Sequence, residues 1–490
     1  SKGIEQFYKT PADAFAALVA TYSVLDLDGV GYLTLNSECA SDDCFGGGGT
    51  SDNGLKQLDR FQDWLDINGP EWSKDYTGIY RANILLQNID KVNFAADTAT
   101  KKRYVAEAHF LRAYFYFNLV RMFGNIPLLD KPVAPGNYNQ PQANPDDVYK
   151  LIANDLKLAA ATLPATAYAA IPPTEYGRVT KWAAEALLDR VFLYYTGYYS
   201  KTDLVGVFTK QDAITAINDV ITNSGYGLVT NFANLWHAAG ANYVGENNKE
   251  VVFAVQFTSA GLGDFNQNNG NRMQVLIGIR EQALGIYYQG WGGAPVNPKL
   301  WNDFAAGDTR KSASIISIAD EGLTASYVLG DQYQYTGYFW KKYTPIAAEQ
   351  TKGTNFQIDN NNDYMAIRFA DVLLMGAELN LGTNIATAQT DYNLVRDRAF
   401  GDALHEKTLT NDAAGIQLIM DERRFELALE GQRYWDLLRQ GLTVAKQNID
   451  NVSANPDFAV SFRLETKGLF TIPETQIGLS NGTLKQNAGW

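Results

Sequence analysis

Apolar side chains recur at spacings of three and four along most of the chain, which predicts a mainly α-helical protein. In residues 101–121 this places Val105, Ala108, Leu111, Phe115 and Leu119 on one face. Gly124 ends that helix, and Pro127 sits in an extended exit. A second helix over 180–196 opens on Thr180 as its N-cap and runs to Gly197. The same periodicity predicts helices over 11–22, 76–91, 145–161, 211–223, 364–381, 386–399 and 412–440. Residues 250–257 read as a strand bounded by polar loops.

Two helices resemble each other. Ala106-Glu107-Ala108 followed by Arg112, Tyr114 and Tyr116 aligns with Ala184-Glu185-Ala186 followed by Arg190, Phe192 and Tyr194. A third carries Ala370-Asp371-Val372 and then Ala377. Small residues at fixed places in bulky helices let a neighbour approach closely, the pattern of degenerate tetratricopeptide-like hairpins. The plainer reading is several amphipathic helices. Between them lie long irregular stretches at 36–54, 258–297 and 326–362, the last including an aromatic segment over 331–343 that reads as a short hairpin. Loops this long in a helical protein are usually functional. The picture is a helical scaffold bearing large loops.

Composition narrows the function. With 54 acidic against 41 basic residues the net charge is −13, which argues against sequence-independent nucleic-acid binding. Three histidines, His109, His237 and His405, stand in unrelated contexts, so no zinc motif exists. Cys39 and Cys44 would pair as a disulfide in an exported protein or stay free in a cytosolic one. No apolar run approaches the ~20 residues that span a bilayer. The chain opens at Ser1 without a signal peptide, so the expectation is that a targeting segment was trimmed or never existed.

Three constellations invite chemistry. Glu422, Glu426 and Glu430 form a carboxylate row, but Arg423, Arg424, Arg433 and Arg439 around them favour a structural ion-pair network over a metal or acid/base site. Asp42 and Asp43, beside Glu38 and Asp52, are candidates for a structural calcium, although the spacing is not that of an EF-hand. The preferred reading is an acidic surface loop. The run Gly46 to Gly49 is no phosphate loop, since no Gly-Lys-Ser/Thr follows.

The aromatic share of 12%, with 28 Tyr and 9 Trp, supplies the third. Trp72, in 68–76, and Tyr287, Tyr288 and Trp291, in 286–293, sit in polar, loop-forming sequence. Such rings suit sugar stacking, or else plug a loop onto its own scaffold. Trp64, Trp182, Trp236 and Trp435 lie in apolar patterns and are expected in the core.

Residues 103–114, RYVAEAHFLRAY, running on to Phe123-Gly124-Asn125-Ile126-Pro127-Leu128, resemble the signature of the SusD/RagB-type outer-membrane lipoproteins of Bacteroidetes. So does the stretch 422–439, ERRFELALEGQRYWDLLR. Ile367-Arg368-Phe369-Ala370-Asp371, Gly307-Asp308-Thr309-Arg310 and the tail from Ile472-Pro473 to Gln486-Asn487-Ala488-Gly489-Trp490 agree, in the family's order. Departures are small: Thr471, Ala488 and Trp490 replace commoner Pro, Pro and Tyr.

The resemblance implies one SusD-like domain over 1–490, a tetratricopeptide-like scaffold with ligand-loop insertions at about 36–75 and 258–362. It implies a non-catalytic cell-surface protein, lipid-anchored in the outer membrane, that captures oligosaccharide for a SusC-like TonB-dependent transporter. The RagB branch would take peptides instead. It implies ligand contacts at Trp72 and Asp75, and at Tyr287, Tyr288, Gln289 and Trp291, with Asp43 as a hydroxyl acceptor and no cofactor beyond the calcium candidate. Arg112, Arg368, Glu426 and Arg433 are assigned to the scaffold. Two other readings compete: a helical glycoside hydrolase, which needs two carboxylates facing each other across a sugar ring, and a helical-repeat adaptor with no small ligand.

Overall fold

The computed structural model describes residues 7–27, 29–62, 66–259, 269–350 and 355–490. Trp64 and residues 260–268 of the predicted insertion lie outside them. Packing resolves two compact units, each assembled from distant stretches of the chain. One comprises Ser1–Gly29, Asp66–Val220 and Glu465–Trp490; the other comprises Val30–Leu65 and Ile221–Leu464.

The first unit is all helical hairpins. Helices Gly69–Asn88, Thr98–Phe123, Pro145–Thr162 and Lys181–Tyr198 pack in succession. Thr180 caps the last of these, its hydroxyl accepting from the Ala183 N–H at 3.1 Å. The small residues marked by the repeat, Ala106, Ala108, Ala184 and Ala186, are fully buried, as close helix approach requires. Gly124, at φ 67°, ends the 98–123 helix. Beyond it the carbonyl of Phe123, left without a partner inside the helix, accepts from Asn487 Nδ2 at 3.0 Å. The same amide donates to Phe470 O at 2.8 Å, so the tail motif closes a helix end.

The second unit holds helices Phe369–Asn380, Ile385–Phe400 and Ala413–Glu426. Its largest sheet is one antiparallel pair, Val251–Val255 with Tyr364–Arg368, so residues 364–368 are strand where helix is expected. Tyr338–Trp340 pairs with Ile315–Ser317 and does not fold back on its own segment as a hairpin. The helix expected over 412–440 breaks after Glu426, because Leu429 and Gly431 adopt positive φ, and resumes at Arg433–Arg439. Between these pieces the expected ion-pair network is present and buried. Arg368 meets Glu250 at 2.7 Å, Glu426 at 3.0 Å and Glu430 at 2.7 Å, and Arg310 and Arg398 also face Glu426. Burial alone would raise the Glu426 carboxyl, but Arg398, Arg368 and Arg310 hold it well below the usual range.

Candidate functional site

The Gly46–Gly49 run works by leaving space. Gly47 and Gly49 form isolated bridges with Gly293 and Gln332, drawing segments 46–52, 279–293 and 328–336 of the second unit together. A Cβ on Gly49 would lie 2.4 Å from Arg280 Nη2, and one on Gly292, at φ 69°, would lie 2.1 Å from Gln332 Oε1. The positive φ at Gly292 makes glycine the fitting residue there, and a side chain at Gly49 would displace the Arg280 guanidinium.

Arg280 is the hub of the resulting face. It grips Asp331 in fork geometry, Nε to Oδ1 at 2.5 Å and Nη2 to Oδ2 at 3.0 Å, and donates through Nη1 to Trp291 O at 3.0 Å. Its hydrogen bonds hold the Asp331 carboxyl below its ordinary pKa. The Arg280 side chain is only 12% exposed, whereas those of Asp331 and Asp52 are 45% and 56% exposed, so anionic acceptors face water around a sequestered cation.

Tyr333 sits on the same segment, with Lys56 Nζ 4.0 Å from its ring centroid. Its hydroxyl donates to Asp457 Oδ1 at 2.7 Å and accepts from Arg60. Burial first, and the Asp457 carboxylate second, push its pKa up to about 12. Beneath it Gln334 accepts from the Gly47 N–H at 2.8 Å and donates to Asp59 at 2.8 Å. Trp291 is half-buried, and among the described residues its indole has no hydrogen-bond, ring or cation partner. Tyr288 and Gln289 are also half-buried, Tyr288 edge-on to Phe356 at 5.9 Å.

Other expected ligand residues are placed differently. Tyr287 is 2% exposed, its hydroxyl donating to Glu321 at 2.6 Å, so it serves as the aromatic plug and not as a platform. Trp72 and Asp75 do not precede a helix. Residues 69–88 are helical, with Pro70 in the first turn where its missing N–H costs nothing. Trp72 is buried against Phe123 and Tyr76, and Asp75 is fully buried beside Lys74 at 3.5 Å. Asp75 is therefore closed to solvent, its pKa raised well above normal by burial.

The acidic loop around Asp42 and Asp43 is likewise interior. Asp43 accepts from Arg424 Nε at 2.8 Å, and Asp42 accepts from Arg433 Nε at 2.7 Å with Lys299 at 3.3 Å. Guanidinium groups supply the positive charge there, and Asp43 is not open to a sugar hydroxyl. Among the described residues, no three His, Cys, Asp or Glu side chains converge as a metal site. Cys39 and Cys44 are buried free thiols.

Trp182, Trp236 and Trp435 are core, as expected. The sequence reading missed Arg280, Lys56 and Arg60. It flagged the segment of Asp331 and Tyr333 only as a hairpin, and the glycine run was the signal that a close approach was being built.

The first unit is thus built of helical hairpins, and the second carries a loop-built face of aromatic and charged-pair groups. The profile of the SusD family matches residues 322–490, and that described as "Starch-binding associating with outer membrane" matches residues 51–193. A "Laminarin binding SusD-like protein" of known structure is 30% identical with a TM-score of 0.81, covering 99% of this chain and 100% of its own. "Surface glycan-binding protein A from Bacteroides fluxus" is 27% identical with a TM-score of 0.83, over 98% and 100% of the two chains. "SusD-like protein P2" of Formosa agariphila is 26% identical over 99% of this chain and 94% of its own. The chain belongs to the SusD family.

Proposed function

We propose that this protein binds oligosaccharide at the cell surface through the loop face around Arg280 and Trp291, without catalysis, and passes it to a TonB-dependent transporter. In this reading a lipid at the N-terminus of the full-length protein holds it to the outer membrane. Among the described residues no helix is long and apolar enough to cross a membrane. The observation that carries the reading is the half-buried Trp291 indole, on a residue whose backbone carbonyl accepts from Nη1 of the Arg280 that also holds Asp331. A pyranose presents a CH face to such a ring, while its hydroxyls donate to exposed carboxylates fixed in place beforehand.

Tyr288 and Gln289 belong to the same proposal, as does Asp52. The relatives described as laminarin-binding and surface glycan-binding support a glycan as the ligand. Affinity for a single site is expected at ~10 μM to mM, because a stacked ring and a few water-exposed hydrogen bonds leave little surplus after ordering costs. Titration calorimetry with a laminarin oligosaccharide tests this. Binding weakened by Trp291→Ala and by Asp331→Ala supports it, and binding indifferent to both removes the site. Reducing-end release from any bound polysaccharide would contradict the non-catalytic part.

A further inference from the structure

Residues 46–62, 279–293 and 328–336 contain three cations, Lys56, Arg60 and Arg280, and each is already engaged. Lys56 is buried, and its Nζ donates to Thr50 O at 2.9 Å while lying over the Tyr333 ring. Arg60 donates to the Tyr333 hydroxyl and stands 3.6 Å from Asp457. Arg280 has three carboxylates around one guanidinium, Asp331 at 2.5 Å, Glu281 at 3.4 Å and Asp52 at 3.6 Å. Together with Trp291 O, these surround its N–H groups.

The charged groups that reach water are the acceptors. Side-chain exposure is 12% for Arg280 and 23% for Arg60, against 50% for Asp457 and 70% for Glu281. Gln332, buried beside Gly292, adds an Oε1 that has no hydrogen-bond partner among the described residues. Tyr288, Gln289 and Trp291 supply only neutral donors. A sugar hydroxyl both donates and accepts, so it pairs with either kind of group. A sulfate or carboxylate on the ligand only accepts, and here it would meet outward carboxylates of its own sign.

Glu281, the most exposed of the carboxylates around Arg280, stands at a special backbone position. Its φ of 52° lies in the left-handed region that a non-glycine residue seldom enters, and its N–H donates to Gly290 O at 2.9 Å. The turn therefore holds a charged side chain across from the residue that precedes Trp291.

We infer that this face selects uncharged glycans and excludes polyanionic ones, such as sulfated or uronate-rich polymers, with Glu281 as a specificity-determining residue. The inference deepens the glycan reading and rests on it. Titration calorimetry of the full chain compares laminarin, galactomannan and dextran, each beside its chemically sulfated derivative. The quantity compared is the binding that is lost in Trp291→Ala. Each pair is measured at about 10 mM and about 1 M salt, where charges act over about 30 Å and about 3 Å.

The expected result is that a neutral polymer binds at both salts and its sulfated derivative binds at least about tenfold more weakly at low salt. The gap should narrow at high salt. At low salt, Glu281→Lys should leave the neutral polymer within about twofold and strengthen the sulfated one about threefold or more. A sulfated derivative bound as tightly as its unmodified polymer would overturn the inference and leave the glycan reading standing. So would a gap that neither salt nor Glu281→Lys alters, since the bulk of the sulfate would then be what is excluded. If no neutral polymer shows binding that depends on Trp291, the glycan reading itself fails and this inference falls with it.

Discussion

Trp291 and Asp391 test the account at the scale of single side chains. Removing the indole in Trp291→Ala should cost about 1–2 kcal/mol of glycan affinity, roughly five- to thirtyfold in Kd, with the fold unchanged by circular dichroism. Asp391 is buried on the Ile385–Phe400 helix, and burial raises its carboxyl to about 7. A carboxyl raised above its unfolded value stabilises the fold below about pH 4 and loses that contribution as pH rises through about 7. Urea midpoints at pH 5 and pH 8 should therefore fall less with rising pH in Asp391→Asn than in the parent. Glu426 has the opposite sign. Its contribution is present above the usual carboxylate range and is lost on acidification, and Glu426→Ala, which takes one shared carboxylate from the buried Arg310, Arg368 and Arg398, should cost about 3–5 kcal/mol in urea denaturation.

Between elements, the tightest test is the crossing of the 69–88 and 98–123 helices. A Cβ on Gly78 would stand 2.3 Å from the buried ring of Phe115, so the two helices meet at that glycine. Gly78→Ala should lower stability by about 1–3 kcal/mol through overpacking, seen as a lower urea midpoint at unchanged slope. The element pattern also shows what periodicity conveys. Helices 98–123, 145–162 and 181–198 were legible because an apolar stripe and an N-cap, Asp97, Asn144 and Thr180 in turn, agree, and Gly124 adds a stop to the first. The helix beginning at Gly69 was not, because Asn68, Gly69 and Pro70 carry the same local signals as a loop, and only burial of Trp72 against Phe123 tips the balance. Residues 364–368 are apolar on both faces, which helix and buried strand share; pairing with Val251–Val255 decides between them.

Over the whole molecule, the helical-hairpin architecture was readable from the repeated small residues and from motifs running from Arg103 to Trp490. The candidate face was readable only in part. Trp291, Tyr288 and Gln289 lie in the loop that composition suggests, but Arg280, Asp331, Tyr333 and Lys56 come from three segments joined through backbone bridges, and the glycine run that signals a close approach does not name its partners. Charge misled in the reverse direction. Asp42, Asp43 and Asp75 read as solvent-facing acceptors, yet their cationic partners, Arg424 and Arg433 for the first two and Lys74 for the last, allow them to lie buried.

The central claim is that this face captures glycan. Affinity electrophoresis of the full chain through gels containing laminarin and a panel of other polysaccharides, run beside Trp291→Ala and Asp331→Ala, tests it most directly. The account predicts retardation on at least one polymer, abolished or strongly reduced in both variants. Retardation that both variants keep, or none on any polymer, would contradict it.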